Sequence, residues 1–315
     1  MYVFAFDDVC YEYLKRKKPD FVTVIALAEF ENDELLRIKA QRSKGEYCWT
    51  CTPATIHYAI SKFNLDHCIY VDSDLFFYSD PEILVREMGE KNVLITDHRY
   101  TKYYDQSALC GRYCVQFMYF SNESTSLQLL EWWRDECISW CFARFEDGKF
   151  GDQKYLDDWH NLENVHVLQH EGGGVAPWNV QQYKIVKIAD SISVVKKSDN
   201  CSSDLVFFHF HDLKLFSNGN VALSGHHYKL GSDVKKYLYA GYVEELTVNA
   251  EKLKKEGIDV YSTVQGGRLA LIRNSVVYLR IKGFIRWLLT GKIFQPLQVS
   301  NLYDIRSFIN SFLGR

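Results

Sequence analysis

No apolar run in the 315-residue sequence reaches about 18 residues, so nothing in it reads as a membrane-spanning helix. A dominant charge is lacking too. The 37 Lys and Arg stand against 40 Asp and Glu, for a formal net charge of −3, and no global field marks a nucleic-acid partner. Any basic site must be local. The opening MYVFAFDD offers neither the charged n-region nor the apolar stretch of a leader, and the nine cysteines are odd in number. Together these set the expectation of a reduced, cytoplasmic compartment. The spacings Cys48 to Cys51, Cys110 to Cys114 and Cys137 to Cys141 are read as small hydrophobes in preference to a zinc site or a redox pair. The last two gaps are unusual for zinc knuckles, and Cys137 and Cys141 lie on a Trp- and Leu-rich helical stretch. What the sequence does have is material for a core. Its 47% hydrophobic and 15% aromatic content excludes disorder, and its length predicts one large domain plus an appendage.

Strand-like and helix-like segments alternate. MYVFAF and FVTVIAL read as strands around the helix VCYEYLKRK, which Asp7 and Asp8 can cap. Lys15 to Lys18 then fall at a helix C-terminus, where cations suit the dipole. A charged helix near ENDELLRIKA, a helix from Thr52 through Phe63 and the strand HCIYV come next. PEILVREM, KNVLIT, YCVQFMYF, SLQLLEWWRDECISWCF, DQKYLDDW, VHVLQ and LVFFHF continue the alternation. This predicts an α/β domain over residues 1–228 with a mostly parallel, Rossmann-like sheet flanked by helices. Residues 229–315 read as a helical C-terminal region. Ser232 can cap a helix carrying Val234, Leu238, Leu246, Ala250 and Leu253 on one stripe, ended by Gly257. In SVVYLRIKGFIRWLLTGKIF, Val277, Ile281, Phe284, Ile285 and Leu288 share a face opposite Lys282 and Arg286, with Trp287 beside them. Six Lys or Arg and no acidic residue lie between Asp259 and Asp304. Residues 275–294 are thus a candidate for peripheral contact with anionic lipid at the inner face of the cell membrane, with packing on the neighbouring domain as the alternative.

Ligands of such sheets bind beyond the carboxyl ends of strands. Asp72 and Asp74, in YVDSDLFFYSDP, fall there. Two hard carboxylates one residue apart can reach one divalent cation and leave positions open for a phosphate. A surface or capping role accounts equally well for an isolated Asp-Ser-Asp, but the apolar flanks would bury an uncompensated pair.

CIYVDSDLFFYSDPEIL resembles the metal-binding stretch of nucleotide-sugar glycosyltransferases of the GT-A fold, particularly the retaining galactosyl- and glucosyltransferases of family eight. GDQKYLDDW resembles that family's Asp-Gln segment beside the sugar, and VFFHFHDLK its late His-containing loop. GGGVAPWNVQQY lies between these two, where the family tends to have a Trp-Asn element. Three ordered landmarks span residues 70 to 214, and the whole is similar to bacterial glycosyltransferases of polysaccharide loci. The resemblance implies a GT-A catalytic domain and Mn²⁺ or Mg²⁺ held by Asp72, Asp74 and a histidine, His209 in first place and His211 as its rival. It implies that Lys214 reaches the diphosphate, that Asp152 binds sugar hydroxyls or stabilises positive charge, and that Gln153 lies near the anomeric carbon. It further implies that Gln116 lines the cleft. Trp178 and Asn179 can stack on and hydrogen-bond a sugar. The donor implied is a nucleoside diphosphate sugar, a UDP-sugar favoured, and the acceptor a saccharide or lipid-linked saccharide, with no nucleic acid involved.

Two departures stand out. Position 212 is Asp in the late loop, and no Lys-Pro-Trp ending comes after it. The chain also begins one strand later than that family does, so the first strand–helix unit is expected to be missing, with Arg42 and Trp49 as candidates for the base pocket. The alternative these departures favour is a non-catalytic GT-A-like protein that binds saccharide or a partner. A nucleotidyltransferase would show a Gly-rich basic loop after its first strand, and none is visible.

Overall fold

The structure is a computed structural model and describes residues 1–225, 228–261 and 302–313. In chain order its strands and helices begin with β1 (Tyr2–Ala5), α1 (Asp8–Lys17), β2 (Thr23–Ala26), α2 (Leu27–Phe30), α3 (Asp33–Lys39), α4 (Lys44–Phe63), β3 (His67–Val71) and β4 (Leu75–Phe77). They continue with α5 (Glu82–Glu87), β5 (Val93–Asp97), α6 (Ser107–Cys110), β6 (Tyr113–Ser121), α7 (Ser124–Ser139) and β7 (Val165–Val167). Next are β8 (Tyr183–Ile188), β9 (Ser191–Lys196), β10 (Ser202–Asp204), β11 (Phe207–His209), β12 (Lys214–Leu215) and β13 (Asn220–Ala222). The last are α8 (Ser232–Val234), α9 (Ala240–Lys255), β14 (Leu302–Asp304) and α10 (Ile305–Leu313). The candidate lipid-facing segment 275–294 lies outside the described residues. Among the described residues no helix is long and apolar enough to cross a membrane, and no disulfide joins any of the nine cysteines.

The chain divides into two compact units, Met1–Leu75 with Asp80–Gly174, and Phe76–Ser79 with Val175–Arg315. The sequence pattern alone places the boundary at residue 228 instead. In the first unit β1 and β2 pair in parallel, and a four-stranded sheet runs in the order β3-β6-β5-β7. The expectation of a mostly parallel sheet holds only in part. β5 and β7 are parallel, but β6 is antiparallel to both β3 and β5. The chain returns from β5 to β6 through residues 98–112, whose only helix is the four-residue α6, so no crossover helix carries it back to start a parallel neighbour.

Helix ends obey local chemistry. α4 starts earlier than the apolar periodicity suggests, because Ser43 and Glu46 form a capping box, and it stops at Asn64 in the left-handed conformation. Asn32 caps α3. Ile56 and Ile60 of α4 pack with Leu130, Trp133 and Cys137 of α7 and with Val93, Ile95, Met118 and Phe120 of the sheet. A separate cluster, Ile25, Phe30, Leu35, Ile38, Tyr47 and Cys51, sits under β2 and α3.

In the second unit β8, β9 and β10 form an antiparallel meander, and β4 joins β11 in a two-stranded sheet. Its core gathers Tyr183, Ile185, Val194, Phe208, Phe210, Leu238 and Tyr239. The predicted helix forms, with Gly231 at its N-cap and Ser232 as its first helical residue, and includes a π-helical turn at Lys235–Tyr239. Val234, Leu238 and Ala250 are buried as the stripe requires, and Gly257 takes a positive φ of 85° where the helix stops.

Candidate functional site

β3 delivers the first aspartate. The Asp72 N–H donates to the Gln116 carbonyl at 3.0 Å, one step beyond the β3–β6 ladder. The Tyr70 hydroxyl, two residues earlier on the same side of the strand, donates to Asp72 Oδ1 at 2.9 Å. Burial holds the Tyr70 phenol protonated, its pKa well above the ordinary value. Asp152 is buried nearby, its carbonyl accepting from Trp133 Nε1 at 2.8 Å. Burial, with the Asp72 charge adding to it, pushes the Asp152 carboxyl up to about 7, against hydrogen bonds from Thr52 and the main chain. The negative charge of Asp72 and the burial of Asp152 thus both work against ionisation of the Asp152 carboxyl.

The other sequence candidates of this unit have defined surroundings. Gln116 is fully buried on β6. Gln153 Nε2 donates to the Cys110 carbonyl at 2.8 Å. Trp49 flanks Gly151, which is next to Asp152, with ring carbon Cε3 3.4 Å from where a Cβ on that glycine would stand. Arg42 stacks on Phe142 at 3.8 Å and donates from Nη2 to the Ile138 carbonyl at 3.3 Å. Its guanidinium is thus already engaged by protein.

Asp74 immediately precedes β4, and β4 pairs with β11. Strand alternation sends Phe210 into the core, stacked on Tyr242 at 3.8 Å, and turns His209 and His211 to the opposite side. Asp74, His209 and His211 each offer one ligand atom, and these atoms lie within 4.8 Å of one another. They are a possible metal-binding group. The two histidines treated as rivals in the sequence therefore both belong to it, whereas Asp72 does not. Trp178 meets both imidazoles edge to face, at 5.3 and 5.5 Å, and Asn179 Oδ1 accepts from the Ala176 N–H. One hard oxygen and two imidazole nitrogens suit a divalent transition metal. Lys214 is exposed and paired with Asp212 at 2.6 Å, so the unexpected aspartate holds the lysine of the same loop.

No family model matches this chain. It is 29% identical over 254 residues to an uncharacterized protein, YfnD, of Bacillus subtilis (strain 168), a match covering 78% of this chain and 79% of that protein. A second uncharacterized protein of the same strain, YfnF, is 29% identical over 230 residues, 70% of this chain and 74% of its own length. Among solved structures, A197 from STIV aligns at 8% identity with a TM-score of 0.24, covering 64% of this chain and 91% of that one.

Sequence reasoning missed Tyr70, Thr52 and Trp133 around the aspartates, and it also missed Arg99. The period-2 spacing of Tyr70 and Asp72 was the available signal for the first. Arg99 donates to the carbonyls of Leu168, His170 and Gly173 at 2.8 to 3.1 Å. Glu87 accepts from the N–H groups of Gln169 and His170 and from His166. The loop that ends in the glycine run is thus tied at both its donors and its acceptors. Arg99→Lys replaces a planar fork by a point charge and is expected to lower stability by roughly 2 kcal/mol in urea unfolding. Gly174 has φ +84, and a Cβ there would stand 2.7 Å from Thr96 Cγ2. Gly174→Ala is expected to cost roughly 1–3 kcal/mol in the same measurement; an unchanged midpoint would show that the glycine run is only a flexible turn.

Proposed function

We propose that this chain is a metal-dependent glycosyltransferase that moves a hexose from a nucleoside diphosphate sugar, a UDP-sugar favoured, to a saccharide or lipid-linked saccharide acceptor in bacterial surface polysaccharide synthesis. The observation that carries the reading is the Asp-x-Asp at a strand end whose second aspartate is grouped with His209 and His211, in the order of the three landmarks that resemble the GT-A enzymes. Two imidazoles in the donor set favour Mn²⁺ over Mg²⁺, which prefers an all-oxygen shell.

In this reading Asp74, His209 and His211 hold the cation. When bound, the cation neutralises charge on the departing diphosphate. Trp178 braces both imidazoles and fixes their ring planes. Lys214, released from Asp212, supplies a positive charge to the leaving group. Asp152 stabilises positive charge at the sugar as the glycosidic bond lengthens, and Gln153, its amide N–H held by Cys110, presents its oxygen toward the anomeric centre. With retention of configuration the departing phosphate oxygen takes the acceptor's proton, so no separate base is assigned.

Calorimetric titration of UDP and GDP, with Mn²⁺ present and absent, tests the donor site. Mn²⁺-dependent binding of UDP is expected. Failure of both nucleotides to bind with Mn²⁺, Mg²⁺ or Zn²⁺ would overturn the proposal. Nucleotide binding without hydrolysis or transfer of any sugar would point to the non-catalytic alternative.

A further inference from the structure

No side chain of α1 is fully buried, and its last turn carries Lys15, Arg16 and Lys17, with Lys18 as a left-handed cap. All four are exposed. Cations suit a helix C-terminus, but that effect ends within one turn and does not account for the turn beyond the helix. There the chain reverses through Pro19–Val22, closed by the Val22 N–H donating to the Pro19 carbonyl. Phe21 occupies the third position of this turn with a φ of 61°. Glycine or asparagine is the ordinary occupant there, because a Cβ is strained at positive φ. Phe21 brings a bulky ring instead, and it is 94% exposed. The ring neither relieves the turn nor fills the core, so within the folded chain an asparagine would serve stability better. Close by, Lys15 lies over the Tyr11 ring at 5.0 Å, while Arg16 and Lys17 lie over Tyr13 at 5.7 and 5.5 Å. Aromatic rings thus hold cations next to a protruding apolar side chain.

We propose that the end of α1 and the turn after it dock on a bilayer containing anionic lipid, with Phe21 entering the acyl boundary and Lys15 to Lys18 lying in the headgroup layer. Four consecutive cations, against Asp8 and Glu12 of α1 and Asp20 of the turn, complement a negatively charged leaflet, and each adds several-fold to binding there. A soluble polyanion would satisfy the same cations but leave the Phe21 ring in water. The strained, exposed ring is what selects lipid.

Cosedimentation of the full chain with phosphatidylcholine vesicles, with and without phosphatidylglycerol, tests it. The expected result is binding only to the anionic vesicles, weakening as salt rises. Phe21→Asn is expected to weaken that binding about tenfold or more while its thermal midpoint stays level or rises, which separates docking from folding. Lys15→Glu with Lys17→Glu is expected to abolish it. Absence of wild-type binding would overturn the proposal, as would undiminished binding by Phe21→Asn. Loss in the charge variant alone would mark a general polyanion surface and reject the lipid assignment.

Discussion

Asp74→Asn is expected to lower the affinity of the chain for Mn²⁺ by roughly a hundredfold or more, measured by calorimetry or by the relaxation of bulk water. The amide has the carboxylate's shape but no net charge, so the two imidazoles remain without the anion that makes the cation favourable. His209→Gln and His211→Gln are each expected to act in the same direction, because both rings stand with Asp74 in one group. Asp204→Asn, on the exposed strand β10, serves as the control and should bind as wild type. Both imidazoles must be neutral to ligate, so affinity should also fall as acid protonates them. Equal Mn²⁺ affinity in wild type and Asp74→Asn would remove the metal group and, with it, the main support for the transferase reading. Under that reading the same variant should lose Mn²⁺-dependent UDP binding to a similar degree.

Asp152→Asn should make the metal-free protein more stable at neutral and alkaline pH. Burial lifts the Asp152 carboxyl from its ordinary value of 3.8 to about 7. The folded state therefore holds a proton that the unfolded state has already released between pH 4 and 7, and stability falls as pH rises across that window. Below the window both states are protonated and the carboxyl contributes no difference. Above it the whole penalty is present, about 4 kcal/mol for a shift of this size. The amide is neutral throughout. Urea unfolding should accordingly find the variant and wild type close to each other at pH 4, and the variant ahead by about 4 kcal/mol at pH 8. A constant difference across pH would show that the carboxyl is solvated or paired. Under the proposed function, Asp152→Asn should also cost on the order of 10²–10³-fold in kcat, gaining stability where it loses activity, as expected of a carboxylate kept in place for function.

Neighbouring residues hold the first aspartate and Asp152 in place. Tyr70 satisfies one oxygen of Asp72, Gln116 of β6 accepts from the Asp72 N–H, and Trp133 fixes the main chain at Asp152. Spacing along the chain foretells none of these contacts except that of Tyr70. Arg42 is instructive in the other direction. Its position among aromatics suggests a ring and phosphate contact, and the structure gives it a stack on Phe142 and a carbonyl of α7. An arginine beside aromatics reads the same whether the ring belongs to a ligand or to the protein.

Local signals were legible where the physics is local. Asp7 and Gly257 mark helix ends because side-chain oxygens and positive φ act within a few residues, and Ser43 with Glu46 and Asn32 carry the same kind of local signal, which apolar periodicity passes over. The period of a strand places Asp72 at the end of β3 and sets His209 and His211 on one side, opposite the core residue Phe210. Strand direction and partnership were not legible. That β6 runs antiparallel to both its neighbours, that β4 joins β11, and that Asp74 and not Asp72 stands with the histidines depend on pairings between segments far apart in sequence. The sequence by itself determined which residues can ligate, cap or pack, since those properties belong to the side chain and its immediate spacing. Only the tertiary structure decided which of them meet and how far water is excluded around them, because burial and long-range pairing are properties of the whole folded chain.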